Sequence, residues 1–298
     1  MENKKRLDSL IVEIKNCSKS FASKMIAQGL VRVNGKVIKK SGFLAKENDQ
    51  VEFIENLLND MNEKKDFEIH EYKKIIPIIY EDEYIYVVNK PSGIITHPTN
   101  YEINNTLVNA LKYLKKIDEK KFLIPYRYGI VHRLDKDTSG LLIVSKNQLS
   151  FEKFTELIHN KKITRKYAAL IEGKLKTKVV EVQAPIKRIK DTNKMEVSND
   201  FDAKDATTIF SSIKEYKNFS LISCELKTGK THQIRVHSRY VGNPIINDPI
   251  YGWGKSTKYG QYLVANELSF FHPFLQKQIN IKIDIPKEFN EYIKKYGK

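Results

Sequence analysis

Cysteine is nearly absent: Cys17 and Cys224 are the only two in 298 residues. Two cysteines make neither a disulfide framework nor a four-cysteine zinc site, so a reducing, cytoplasmic setting is expected. Long apolar runs are missing too. No stretch approaches the roughly 20 residues of a membrane helix, and Met1-Glu2-Asn3-Lys4-Lys5 leads into no signal-peptide core. Arginine is scarce, with eight among 52 basic residues, at 6, 32, 127, 133, 165, 188, 235 and 239. The net charge of +16 points to a polyanionic partner, nucleic acid first, although 44 lysines in a chain rich in Asn and Ile reflect a general lysine bias as much as a selected patch. At 41% hydrophobic and 30% charged, the chain has room for one or two domains with a real core.

Residues 1–56 read as a small module of their own. Leu7, Leu10, Ile11 and Ile14 fall on one face of a helix. A second short helix follows, with Ser20 as its N-cap and Gly29 as a left-handed stop. Leu30 to Ile38 alternates on both sides of Asn34-Gly35, the strongest short hairpin signal, and Val51-Glu52-Phe53-Ile54 supplies a further strand. Lys19, Lys24, Arg32 and Lys36 give this module a basic face, yet residues 1–60 hold only +3 of the total charge. Residues 57–74 are charge-dense and aperiodic, as a linker is. From Ile75 to residue 298, strands dominate: Tyr84–Val88, Leu141–Val144, Tyr167–Ile171 and Phe219–Ser223. Helices are marked by Leu107, Ala110, Leu111 and Leu114, and again by Phe151, Phe154, Leu157 and Ile158. No β-helix-β alternation and no repeat of 20–50 residues appears, which predicts an α+β domain on a mostly antiparallel sheet. No extended heptad suggests a coiled-coil partner, and a monomer is expected.

Two polar clusters stand out in apolar surroundings. The first is Val131-His132-Arg133-Leu134-Asp135-Lys136-Asp137-Thr138-Ser139-Gly140-Leu141, placed just before a buried strand, where loops present functional groups. A polar turn capped by Asp137 or Ser139 is the plainer reading. The second is Leu226-Lys227-Thr228-Gly229-Lys230-Thr231-His232-Gln233-Ile234-Arg235-Val236-His237. Its Gly-Lys-Thr is no phosphate loop, because the glycine required five residues before Gly229 is Cys224. His132 with Asp135, and His232 with His237, have no zinc spacing and sit beside cations that oppose a metal. A two-carboxylate glycosidase site fits poorly, since Asp135 alone has a special setting. One carboxylate beside arginines suggests other chemistry on a nucleoside.

The first cluster resembles the central motif of the RluA-type pseudouridine synthases, and several segments agree in order. Val88-Asn89-Lys90-Pro91-Ser92-Gly93 resembles the family's first motif, and Arg165-Lys166-Tyr167-Ala168-Ala169 its tyrosine-bearing strand. The second cluster resembles the third motif, followed by Gly242-Asn243-Pro244-Ile245 and Asn247-Asp248-Pro249-Ile250-Tyr251-Gly252. Residues 1–56 are similar to the ribosomal-protein-S-four-like RNA-binding module, through Ser18-Lys19-Ser20, Gly29 and Val33-Asn34-Gly35. The resemblance implies isomerisation of uridine to pseudouridine in structured RNA, ribosomal RNA above transfer RNA, without metal or cofactor. It places Asp135 as the essential carboxylate, acting on the base, on the sugar or on a sugar proton. Arg235 is its cationic partner, which would lower an Asp pKa by about 1–3 units. Tyr167 stacks on the extracted base, and Arg133 fills the space left by the flipped nucleotide. RNA contacts are expected from Arg133, His132, Lys230, His232, Gln233, Lys19 and Arg32. Lys230 and Lys19 replace commoner arginines and lose the bidentate fork. Leu263-Val264-Ala265 departs from the usual Leu-His-Ala. A non-catalytic RNA-binding protein and a nucleoside hydrolase are the rival readings.

Overall fold

The structure, a computed structural model, describes residues 4–15, 19–27, 29–46, 48–53, 69–99, 102–118, 121–122, 128–254, 256–257 and 259–297. Cys17, Ser18, Ile54, Arg127 and positions 57–68 of the expected linker lie outside the described residues, as do the side chains of Ser20 and Lys24.

The N-terminal unit comprises β1 (Lys4–Arg6), α1 (Leu7–Lys15), α2 (Lys19–Ala27), β2 (Val31–Val33), β3 (Lys36–Val37), β4 (Leu44–Lys46) and β5 (Val51–Phe53). Leu7 and Ile11 of α1 are fully buried against Ala22, Met25 and Ile26 of α2. Ile14, expected on the same face, lies in the last turn of α1 and is 51% exposed. The second helix starts at Lys19, so Ser20 lies inside it and not at its cap. Asn34 and Gly35 both take positive φ, 50° and 75°, the backbone a two-residue hairpin turn requires, and β2 pairs with β3 around them.

The larger unit runs through β6 (Ile78–Glu81), β7 (Ile85–Lys90), α3 (Leu107–Tyr113), β8 (Ser139–Ser145), α4 (Gln148–His159), β9 (Ile163–Glu172), β10 (Val179–Gln183), β11 (Ile186–Arg188) and β12 (Met195–Val197). It continues with β13 (Thr207–Glu215), β14 (Phe219–Leu226), α5 (Gln233–Tyr240), β15 (Leu263–His272), β16 (Lys277–Lys282) and α6 (Lys287–Tyr296). Nine strands form one sheet in the order β10-β13-β14-β9-β15-β8-β7-β6, with β16 also on β15. Every pairing is antiparallel except β15 with β8. A separate hairpin, β11-β12, packs through Ile186, Met195 and Val197 onto Val236 of α5.

Alternation decides what covers each face. Leu142 and Val144 of β8 join Tyr167 and Ala169 of β9 in one core, whereas Leu141 and Ile143 join Phe154 of α4 in another on the opposite side. Both faces are covered, which is why these strands read as continuous apolar runs. The first core reaches back to Ile69, 5% exposed, and to Tyr72, whose N–H donates to the Asn109 carbonyl. Packing of the larger unit therefore begins inside the stretch expected to be linker.

Candidate active site

The loop that carries Asp135 is pinned from three directions before it enters β8. Lys90, fully buried at the end of β7, points its ammonium at the carbonyls of Pro91 (2.9 Å), Ile94 (2.8 Å) and Lys136 (3.0 Å). Burial pushes this lysine down to about 7, against the pull of Asp135 and Asp137. Thr96 bonds both polar groups of the Leu134 backbone, and the Gln261 amide donates to Thr138. Gly140, at φ 114°, closes the loop: a Cβ there would stand 2.2 Å from the Ala265 carbonyl of β15, so only glycine lets the two parallel strands meet. The Lys90-Pro91-Ser92-Gly93 turn thus serves to hold the Asp135 loop.

Arg235 approaches from α5. On that helix Ile234 faces the core with Leu134 and Tyr167, Val236 faces the hairpin, and Arg235 between them is 3% exposed. Its Nη1 donates to Oδ2 of Asp135 at 3.0 Å, while Nε and Nη2 donate to the two oxygens of Asp248 at 2.7 and 2.8 Å. Burial works against the guanidinium's charge, but Asp248 and Asp135 together outweigh it and hold the charged form above its ordinary range. Asp248 also accepts the backbone N–H groups of Ile250 and Tyr251, the Asx turn of an Asp-Pro segment. One arginine is thereby shared by a fully buried carboxylate and one that is 19% exposed.

Above Asp135 opens a cavity of about 710 Å³, within the roughly 300–1,000 Å³ range of ligand sites. Among its described lining residues Asp135 is the sole carboxylate, surrounded by Arg133, Lys161, Arg165, Lys230 and Arg235. Tyr167 on β9 lines it as well, 6% exposed, with burial raising its phenol pKa so that it stays protonated at neutral pH. Arg165, two residues earlier on the same strand face, also lines it. Its Nη1 lies where a Cβ on Gly229 would be 2.9 Å away, its Nε is buried without a hydrogen bond, and it has no ion-pair partner among the described residues.

Asp135, Tyr167, Arg235, Arg133, Lys230 and His232 therefore share one cavity. Three motif residues have other employment. Gln233 is 2% exposed and uses its whole amide inside the protein, accepting from Thr228 and the Lys230 N–H and donating to Thr207 and Thr208. It lines the cavity, but its amide is fully engaged in shaping the loop. His132 accepts the Ile143 N–H through Nε2 at 3.1 Å, and burial followed by the nearby Arg165 pushes it down to about 3, so it stays neutral. His237, weighed beside His232 as a metal ligand, is fully buried and bonded to Thr208 and the Ala184 carbonyl. Among the described residues no group of three or more metal-ligating side chains comes together. Lys19 and Arg32 are exposed on the N-terminal unit and are not among the cavity's lining residues. The motif reading quoted Asp248, Lys90 and Arg165 within matched segments but gave none of them a role. Period-two spacing from Tyr167 signals Arg165, and the Asp-Pro turn signals Asp248, but the fully buried Lys90 leaves no such trace.

The chain is similar to known proteins along most of its length. Residues 84–240 match the RNA pseudouridylate synthase family, and residues 5–51 the S4 domain. An uncharacterized RNA pseudouridine synthase from Mycoplasma pneumoniae is 38% identical over 96% of this chain and 91% of its own length. The ribosomal large subunit pseudouridine synthase D of Zymomonas mobilis is 37% identical over 72% of this chain and 70% of its own. Among solved structures, human RNA pseudouridylate synthase domain containing 1 superposes with a TM-score of 0.59 at 21% identity, over 72% of this chain and 84% of that one, which speaks for the fold.

Proposed function

Because the chain belongs to the RNA pseudouridylate synthase family and is an isomerase of that kind, we propose that its substrate is large-subunit ribosomal RNA and that Asp135 is the reacting carboxylate. The observation that supports this assignment of Asp135 most directly is its isolation: it is the one carboxylate among the described residues lining a cavity that also carries five cations, and it is partly exposed there. A glycosidase pair needs a second carboxyl group, but Asp248 is fully buried and locked onto Arg235, and Asp137 is not among the described residues lining the cavity. The reaction breaks the bond from the ribose C1′ to N1, turns the uracil, and joins C1′ to C5, which gives up its hydrogen as N1 gains one. Atoms balance without a co-reactant. Arg235 keeps Asp135 oriented, Tyr167 supplies a flat apolar surface for the loosened base, and Arg133 and Lys230 meet the flanking backbone. Flipping the nucleotide out of a stem costs a few kcal/mol, which cationic contacts to phosphate offset. The ribosomal address is supported by the S4 domain and by the name of the Zymomonas relative. Pseudouridine mapping of ribosomal RNA in cells with and without the gene tests it: sites should vanish with the gene and return with wild-type protein but not with Asp135→Asn. If ribosomal RNA is unchanged and transfer RNA loses sites, the address is transfer RNA. If neither changes, the protein only binds RNA.

Substitutions at two positions of the cavity separate stacking from charge. Tyr167→Phe keeps the ring and should leave turnover near wild type, whereas Tyr167→Ala should cost about 10–100-fold, the worth of one base–aromatic stack. Release of tritium from the uridine C5 position reads both. Arg165→Gln removes an unpaired cation from the cavity wall, so RNA affinity should fall and its dependence on salt should flatten by about one counterion. Filter binding across a salt series checks this, and an unchanged slope would remove Arg165 from the phosphate contacts.

A further inference from the structure

One cavity residue has no part in the chemistry above. His232 stands immediately before α5 with φ 57°, left-handed backbone in a residue other than glycine, and its side chain makes no capping bond to the helix. Such conformations persist where their surroundings impose them, and they gather at functional sites. Here the ring is held edge-on to Tyr251, centroids 5.6 Å apart, with Nδ1 2.9 Å from the Tyr251 hydroxyl oxygen. That oxygen accepts the Met195 N–H of β12 at 2.8 Å. That leaves the hydroxyl's single proton free to point at Nδ1, an arrangement that places the imidazole proton on Nε2. Nε2 lies 3.9 Å from Oδ2 of Asp135, the same oxygen that accepts from Arg235. The chain Met195–Tyr251–His232 thus ends at the carboxylate. Burial lowers the His232 pKa, opposed by Asp135, so the ring is neutral at pH 7.

We propose that His232 is a positioning residue: as the Nε2–H tautomer set by Tyr251, it donates to Oδ2 of Asp135 when the nucleoside fills the cavity, and leaves Oδ1 to face the reacting atoms. Catalytic hydrogen bonds commonly shorten from such distances as a substrate binds. The inference rests on Asp135 being the reacting carboxylate. It makes the β11-β12 hairpin, through Met195, part of the support of the catalytic centre.

The test uses the full-length protein and ribosomal RNA from cells lacking the gene, tritiated at the uridine C5 position. His232→Asn suits the left-handed backbone, keeps an amide beside Tyr251 and is too short to reach Asp135, so it should fold normally. Its kcat should fall about 10–100-fold, the worth of a hydrogen bond to a charged group, with KM unchanged. His232→Gln, whose longer side chain places an N–H near the position of Nε2, should recover most of that loss. Tyr251→Phe should lower kcat less, and should add nothing on top of His232→Asn, as two links of one chain do. Wild-type kcat in His232→Asn, a defect confined to KM, or a Gln variant no better than Asn would each overturn the proposal. Asp135→Asn run alongside keeps the two readings apart: activity there removes the assignment of Asp135 itself, while its loss beside a fully active His232→Asn removes only the role of His232.

Discussion

An Asp135→Asn protein binds its RNA as the wild type does and forms no pseudouridine. The substitution is nearly isosteric and keeps an oxygen for the Arg235 Nη1 bond, which is 3.0 Å long in the native site. Arg235 stays neutralised by Asp248, so the amide leaves no unpaired buried charge and the fold should lose little stability. On the proposed reading, RNA affinity rests on the cations that line the cavity, Arg133, Arg165, Lys161 and Lys230, and on the N-terminal unit, none of which is altered. What disappears is the negative charge aimed at the nucleoside. Loss of a charge that acts only at the transition state lowers the rate without changing ground-state binding, and a fall of at least about 10³-fold is expected. Tritium release under single-turnover conditions measures the rate, filter binding the affinity and thermal melting the stability. Turnover within tenfold of wild type would remove Asp135 from the chemistry. A matching loss of affinity would make it a binding residue instead.

The parts of this site that lie within one stretch of chain were legible in the residues themselves, and those made by distant stretches were reached only through the family resemblance. The Asp135 loop could be picked out because a polar cluster stops abruptly at the four-residue apolar run Leu141–Val144 of β8. Asn34-Gly35 announced its hairpin because only a few residue pairs tolerate two positive φ angles in succession. By contrast, Asp135 and its guanidinium are 100 positions apart, and nothing local to Arg235 says that most of its hydrogen bonds go to Asp248. Lys90 lay inside a matched motif, yet its burial could not be read there, since a lysine enclosed by three carbonyls has no periodic signature. Gln233 misled in the opposite direction. A polar residue inside a basic motif invites assignment to the ligand, and only its burial shows that its amide serves the loop.

The Arg235–Asp248 pair should separate stability from catalysis. Asp248 is fully buried and takes two hydrogen bonds from the guanidinium and two from backbone N–H groups. In Asp248→Ala the arginine, 3% exposed, keeps only its single bond to Asp135 and loses most of its compensation. Removing one partner of a buried pair costs about 3–5 kcal/mol. For a chain of this size that corresponds to a fall in Tm on the order of 10 °C. Activity should fall too, because the freed guanidinium will move toward Asp135 and engage the oxygens meant for substrate. Arg235→Met added to Asp248→Ala removes the stranded charge, and replacing both partners by apolar groups is often close to neutral, so the double variant should recover more than half of the lost stability. It should recover no activity, since Asp135 has then lost the guanidinium that orients it. Melting curves and tritium release on the two single variants and the double variant form the cycle. Stability and activity returning together in the double variant would show that Arg235 supports the fold alone; stability returning without activity places its charge at the carboxylate as part of the reaction.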